Sequence, residues 1–247
     1  MQMRTIIVGG GEIGQALKEC FKGTCETFIA DTNRKRDEKP KGVFDVMHIA
    51  FPPSDSFDEF VIYNHTKFEP KYVVIHSTVP VGTTKRLNDK LGNVVHSPVE
   101  GRHPNLTKSI QTFGKFIGYD TLSKVALEIS NYFGLVGLKP VLVKGSVNTE
   151  LGKIMSTTRL GWDVVFMKEV ARLCEQYGAD FEQVYTAYTK NYNQGYADMD
   201  QVAFSKFHRP VLENMPGPIG GHCVMANIKL FKSFLVKTIK EQNAKYE

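Results

Sequence analysis

A short apolar run, Thr5-Ile6-Ile7-Val8, feeds directly into Gly9-Gly10-Gly11-Glu12-Ile13-Gly14, and the residues that follow read as a helix. This is a G-x-G-x-x-G turn between a strand and a helix. Gly9 permits the tight turn and Gly11 lets a pyrophosphate approach the backbone. Gly14 lets helix and strand pack closely, and the helix N-terminus faces the phosphates. Asp31 ends the next apolar run, seventeen residues after Gly14. A carboxylate there accepts hydrogen bonds from ribose hydroxyls and repels a 2′-phosphate. The segment is therefore read as an NAD site built from Gly9, Gly11, Glu12, Ile13, Gly14 and Asp31. Arg34, Lys35 and Arg36, close behind, would instead suit the 2′-phosphate of NADP, which stays open as the second choice. A glycine-rich turn without ligand is the structural alternative.

The rest of the first half agrees with this start. Short apolar or β-branched runs at 5–8, 26–30, 46–51, 72–76, 94–97, 116–119 and 141–143 alternate with helix-like stretches. Runs without polar alternation suit strands buried on both faces, and strands alternating with helices argue for βαβ units. The pattern changes after Gly145. Residues 148–177 read as one long helix without proline, in which Leu160, Val164, Met167, Ala171 and Cys174 form an apolar stripe and Gly178 is the C-cap. A shorter helix is expected at 181–188, a loop rich in Pro and Gly at 209–221, and a last helix at 223–240. The expected fold is α/β: a Rossmann-like doubly wound parallel sheet over 1–146, followed by a second, all-helical domain over 147–247.

Composition narrows the function classes. With 247 residues, 42% hydrophobic and 23% charged, the chain is an ordinary globular protein of one or two domains, and its core needs no covalent staples. The net charge of +5 is spread out and no basic face with interleaved aromatics is visible, so no nucleic-acid partner is expected. Four cysteines, Cys20, Cys25, Cys174 and Cys223, contain no C-x-x-C pair, which argues against a disulfide scaffold and against a structural metal site. Cys20 and Cys174 are read as small buried hydrophobes. No run approaches a membrane-spanning length and none resembles a signal peptide, so no membrane partner is expected and the compartment is expected to be cytoplasmic.

Two further segments bring out a family. His76-Ser77-Thr78-Val79-Pro80-Val81-Gly82-Thr83-Thr84 resembles the S-T-V-P-x-G-T signature of the UDP-glucose/GDP-mannose dehydrogenase family, and Pro218-Ile219-Gly220-Gly221-His222-Cys223 resembles its G-G-x-C segment. The order of the glycine loop, Asp31, Thr78, Lys153 on a long helix and Cys223 is similar as well. The resemblance covers nearly the whole chain and stops where the family's third, sugar-nucleotide-binding domain would begin. It implies a Rossmann domain, a helical dimerisation domain and hence a homodimer. It further implies an NAD-dependent oxidoreductase acting on the alcohol of a sugar-like or nucleotide-sugar substrate through a thiohemiacetal and thioester on cysteine.

The resemblance gives Cys223 the nucleophile's place, and physics agrees: a cysteine after two glycines at a helix N-terminus is favoured as thiolate, with His222 beside it. Lys153 matches the helix lysine placed near the reacting carbon, where it steadies an oxyanion or acts as base. Thr78 matches the threonine lying against the nicotinamide. There are departures too. Thr157 stands where the family carries asparagine, and a hydroxyl still hydrogen-bonds. Asn227 stands where it carries aspartate, and an amide cannot act as a base. In Ser97-Pro98-Val99-Glu100, valine holds the family's glutamate position and Glu100 is the substitute one residue on. Loops 100–108 and 209–218 are the expected places for substrate recognition. Two alternatives remain: a two-electron hydroxyacid dehydrogenase with the same plan, and a diverged NAD-binding dimer without catalysis.

Overall fold

The structure, a computed structural model, describes residues 2–101, 104–120, 124–199, 207–220 and 223–247. The chain divides into two compact units, Met1–Ile154 and Met155–Glu247.

In the first unit, β1 (Arg4–Val8), β2 (Glu26–Ala30), β3 (Val46–Ile49), β4 (Tyr72–Ile75), β5 (Val94–His96), β6 (Gly114–Tyr119) and β7 (Lys139–Lys144) form one sheet in the order β2-β1-β3-β4-β5-β6-β7. The first five are parallel neighbours, for example Ile7 opposite Ile29 and His48. The sheet is parallel as expected except at one joint, where β5 and β6 run antiparallel, while β6 and β7 are parallel to each other. β7 is longer than its apolar residues alone indicate. It lies at the sheet's edge, half solvated, and is held by its ladder to β6 from Gly114–Lys139 through Tyr119–Lys144.

Side chains alternate across a sheet, so each strand feeds two cores. On one face Ile7, Val46, Val74, Val95 and Ile117 pack with α1 (Glu12–Phe21), α4 (Leu106–Thr112) and α5 (Lys124–Leu135). On the other, Ile6, Val8, Met47, Ile49, Val73 and Ile75 pack with α2 (Phe57–Phe68) and α3 (Thr83–Leu91). This is the doubly wound arrangement expected from the apolar runs. The strand order reverses between β1 and β3, and in open α/β sheets the crevice at such a switch point is where ligands bind.

α6 (Ser146–Tyr177) crosses from the first unit into the second. Its first turn is held by Asp120, whose carboxylate accepts from the Ser146 amide at 3.0 Å and hydroxyl at 2.7 Å. Glu150, fully buried one turn on, accepts from the backbone amides of Gly82 at 2.6 Å and Thr84 at 2.7 Å, the start of α3. Burial raises its proton affinity while those amides lower it. Glu150→Gln is expected to cost about 2 kcal/mol, because an amide NH₂ would face one of two buried N–H donors. Urea unfolding of the pure variant measures it, and an unchanged midpoint would refute this role.

The helical unit packs Ile219, Val224, Ile228, Val236 and Ile239 against Trp162, Val164 and Val165 of α6. Met167, Ala171 and Cys174 of the expected stripe are buried, but Leu160 is 43% exposed and does not belong to it. The helix expected at 181–188 is a π-helical turn, Glu182–Ala187, running on into α7 (Tyr188–Asp198). The single last helix expected at 223–240 is in fact two. α8 (Cys223–Asn227) passes through a 3₁₀ turn, Phe231 is extended, and α9 (Phe234–Asn243) starts anew because the Ser233 hydroxyl accepts from the Val236 amide at 3.2 Å. Among the described residues no helix is long and apolar enough to cross a membrane, and no group of three or more His, Cys, Asp or Glu could hold a metal ion.

Candidate active site

β1 ends at Val8 and the chain turns at Gly9, whose φ of 103° only glycine adopts without strain. A side chain there would also meet the Ala50 carbonyl and the Phe51 amide at the end of β3, 2.8–2.9 Å away. Gly11 is the N-cap of α1 and has no side chain to cap the helix. The first amides of a helix have no partners within it. A Cβ built on Gly11 meets nothing within 4 Å, so the space above this turn is open for a ligand's phosphates. Glu12 and Ile13 form the first turn of α1, Glu12 exposed and Ile13 half-buried, and Gly14 is buried against the loop. Asp31 comes to the same place, accepting from the Gly10 amide at 2.5 Å and from the Asn33 amide at 2.7 Å. Each carboxylate oxygen keeps a further lone pair for a ribose hydroxyl. The loop and Asp31 fit a dinucleotide: an open turn, donors at a helix start and an acceptor beside it.

Thr78 follows β4 and is half-buried, between Ser77, whose hydroxyl donates to the Phe51 carbonyl at 2.6 Å, and buried Val79. Val99 is buried in the core under β5, which explains an apolar residue at this point, while the next residue, Glu100, is half-exposed. Lys153 is half-buried on α6. Lys153 and Glu100 both act electrostatically on one buried group, Lys115, the first lowering and the second raising its proton affinity.

Beneath these segments lies a polar layer that sequence reasoning missed. His48 on β3, His76 after β4, His96 on β5, Lys115 on β6 and Tyr132 on α5 are all at most 3% exposed. Burial pushes His48 and His96 down to about 3 and His76 well below the ordinary histidine range, so all three rings are neutral. The His96 Nε2 lies 3.2 Å from the Ser77 carbonyl, which can only accept, so Nε2 carries the proton and Nδ1 accepts from the Thr149 hydroxyl at 2.8 Å. One ring thereby ties the segment before Thr78 to α6, one turn ahead of Lys153. The available signal was the presence of ionisable residues inside otherwise apolar strand runs, as in Met47-His48-Ile49 and Val95-His96.

In the helical unit, Thr157 is buried on α6. Cys223 is exposed at the first residue of α8, and Asn227 ends the same helix one turn away. Gly221 and His222 lie outside the described residues, as do Arg102 and His103 of loop 100–108. Burial separates the remaining thiols from reactivity: it raises Cys20 to about 11 and raises Cys25, and Cys174 is buried as well. The 209–218 loop is anchored by Lys168, which donates to the Met215 carbonyl at 2.8 Å and the Gly217 carbonyl at 2.7 Å. Asn193 grips Arg209 through both its amide atoms, beside a cleft of about 610 Å³ lined by Lys190, Asn191, Gln194 and His208.

Comparison with known proteins gives a family match over residues 147–245, to the central domain of the UDP-glucose/GDP-mannose dehydrogenase family. Similar solved structures include UDP-D-ManNAc dehydrogenase from Pyrococcus horikoshii, with TM-score 0.76 and 18% identity over 99% of this chain and 69% of that one. UDP-glucose dehydrogenase from Pyrobaculum islandicum has TM-score 0.75 and 16% identity over 99% and 68%. 3-Hydroxyisobutyrate dehydrogenase from Mycobacterium tuberculosis, in a complex with L-serine, has TM-score 0.71 and 13% identity over 100% and 94%. The Rossmann-like fold of these proteins is the fold of this chain.

Proposed function

We propose that the chain is an NAD-dependent oxidoreductase of the UDP-glucose/GDP-mannose dehydrogenase kind, whose central domain residues 147–245 match, and that it acts on the CH–OH group of a sugar-like or nucleotide-sugar substrate. The observation that carries this reading is the open turn at Gly11 beside the Asp31 carboxylate. Gly9, Gly11, Glu12, Ile13 and Gly14 hold the pyrophosphate, Asp31 the adenosine ribose, and Thr78 lies toward the nicotinamide. NAD, when bound, supplies the hydride acceptor. Asp31 makes NAD preferred over NADP.

Each remaining residue has a role its chemistry allows. Lys153 takes the alcohol proton or steadies the oxyanion, and Thr157 hydrogen-bonds it. The Cys223 thiol adds to the aldehyde carbon, the C–S bond forming as the carbonyl π bond opens and the thiol's proton passing to the thiohemiacetal oxygen. Asn227 orients water without taking its proton, and Glu100 is the carboxylate available as base. The support for Cys223 is its exposure, which sets it apart from three buried thiols. Cys223→Ser is expected to lower NAD reduction by about 10³-fold. Alcohol oxidation retained at the wild-type rate would instead favour a second reading, a hydroxyacid dehydrogenase, to which the chain's full-length likeness to 3-hydroxyisobutyrate dehydrogenase points.

The protein acts as a homodimer in the cytoplasm. The support for the dimer is that Phe166, Leu173 and Tyr177, exposed by 60%, 37% and 76%, fall on one face of α6 at helical spacing. Light scattering at micromolar concentration is expected to give twice the 27.8 kDa chain mass, and a monomer would contradict it.

A further inference from the structure

We propose that Lys115, His76, His48 and Tyr132 form one reversible hydrogen-bonded chain, which holds Lys115 as a neutral amine and takes up a single proton by turning every link around. The links are continuous. The Lys115 Nζ lies 2.5 Å from the Ser97 carbonyl, 2.8 Å from the Pro98 carbonyl and 3.1 Å from the His76 Nδ1. The His76 Nε2 lies 2.9 Å from the His48 Nδ1, and the His48 Nε2 lies 3.1 Å from the Tyr132 hydroxyl. His48, His76 and Lys115 share the sheet face of Val46, Val74 and Ile117.

Two assignments of hydrogens run through this chain: the first shares the His76 Nδ1–H between the Ser97 carbonyl and the Lys115 lone pair, and the second requires the Ser97 carbonyl, still held by Lys115, to draw back from the His76 Nδ1. In the first, the Lys115 amine donates its two hydrogens to the Ser97 and Pro98 carbonyls. Its lone pair accepts from the His76 Nδ1–H, the His76 Nε2 accepts from the His48 Nδ1–H, and the His48 Nε2 accepts from the Tyr132 hydroxyl. In the second, Lys115 is an ammonium and donates to both carbonyls and to the His76 Nδ1. Then the His76 Nε2–H donates to His48, the His48 Nε2–H donates to Tyr132, and Tyr132 donates onward to Cys25 or Thr5, its other neighbours. The two differ by one proton, which enters at the Tyr132 end while each link passes its own proton along, or binds at Lys115 while both rings change tautomer.

Geometry selects the first at rest. The Ser97 carbonyl, 2.8 Å from the His76 Nδ1, can only accept, so Nδ1 carries the hydrogen. A fully buried ammonium without a hydrogen-bonded carboxylate is costly. The groups acting on Lys115 are Lys153 on α6, Cys20 on α1, Glu100 after β5 and the neutral imidazoles of His76 and His48, and the Phe133 ring on α5 lies 5.8 Å from its nitrogen. Glu100 and Cys20 act only through space, and burial with the Lys153 charge lowers the Lys115 proton affinity well below the lysine range.

Oxidation of an alcohol by NAD releases one proton, so a store for one proton directly beneath the segments of Thr78 and Glu100 has a use. That use rests on the dehydrogenase reading, whereas the chain itself does not. The test is imidazole nitrogen NMR of the ¹⁵N-histidine-labelled full chain, titrated from about pH 9 to about pH 6, above the acid range in which the fold is lost. At high pH both His48 and His76 are expected as Nδ1–H tautomers, changing together to Nε2–H with one midpoint. In Lys115→Met the concerted change is expected to vanish. Tautomers that never change in the wild-type protein, rings that charge separately to imidazolium, or a change that persists without Lys115 would each overturn the proposal. The wild-type titration decides even if the variant fails to fold. A concerted change in a protein that reduces no NAD would leave the chain standing and refute the dehydrogenase reading alone.

Discussion

Gly14→Ala is expected to abolish NAD binding, with a dissociation constant raised at least about 100-fold, and to destabilise the α/β unit by more than about 3 kcal/mol. In an exposed helix the same change would stabilise by about 0.5–1 kcal/mol, since alanine is the better helix former. Here the sign reverses. A methyl group on Gly14 would overlap the carbonyl oxygen of Gly9 and stand 3.3 Å from the Ile7 Cγ2, and neither neighbour can yield. Gly9 is fixed at its positive φ with the end of β3 directly beside it, and Ile7 is fully buried in β1, between β2 and β3. The helix must move off the strand, which opens the turn whose amides face the phosphates. Calorimetry with NAD and urea unfolding measure the two effects. Gly11→Ala is the contrast: its Cβ meets no protein atom, so it should fold normally and lose affinity only. Equal unfolding midpoints for wild type and Gly14→Ala would refute the close packing of helix and strand.

Acidification supplies the second large effect. A histidine kept neutral in the fold but free to charge in the unfolded chain makes the unfolded state bind more protons between its two pKa values. Stability therefore rises with pH across that interval and falls as pH is lowered. For His48 and His96 the interval runs from 6.5 in the unfolded chain to about 3 in the fold. At pH 5 each ring costs about 2 kcal/mol relative to neutral pH, about 4 kcal/mol for the pair. His76 and Lys115, their proton affinities also lowered by burial, act with the same sign. This is a large part of the 5–15 kcal/mol that holds an ordinary domain together. The α/β unit should accordingly unfold in mild acid. His96→Gln should be less stable at pH 7 yet lose about 2 kcal/mol less on going to pH 5, because only the imidazole titrates. Urea midpoints that are equal at pH 7 and pH 5 would refute the burial of these rings.

Much of this was legible in the residues because apolar runs and glycines act locally. The glycine loop, the carboxylate at Asp31, the long helix and the exposed Cys223 follow from short stretches read one at a time. The antiparallel joint between β5 and β6 was not legible, because strand direction depends on how the intervening chain crosses the sheet. Period alone places Leu160 in the buried stripe, because period does not tell how wide a face the neighbouring helices cover. The break at Phe231 required knowing that Ser233 would cap a new helix. The layer from Lys115 to Tyr132 joins residues 17 to 84 positions apart, a proximity no local pattern carries, although ionisable residues within buried strands marked its members.

Oxidation of an alcohol with NAD is the activity proposed for this chain. The most direct measurement is formation of reduced nicotinamide by the purified full chain with NAD and a panel of nucleotide sugars, free sugars and hydroxyacids. The expected result is reduction dependent on both NAD and one sugar-type alcohol, about tenfold or more slower with NADP, and lost in Cys223→Ser. Tight NAD binding with no reduction by any alcohol of the panel would contradict it and make the chain a binding protein.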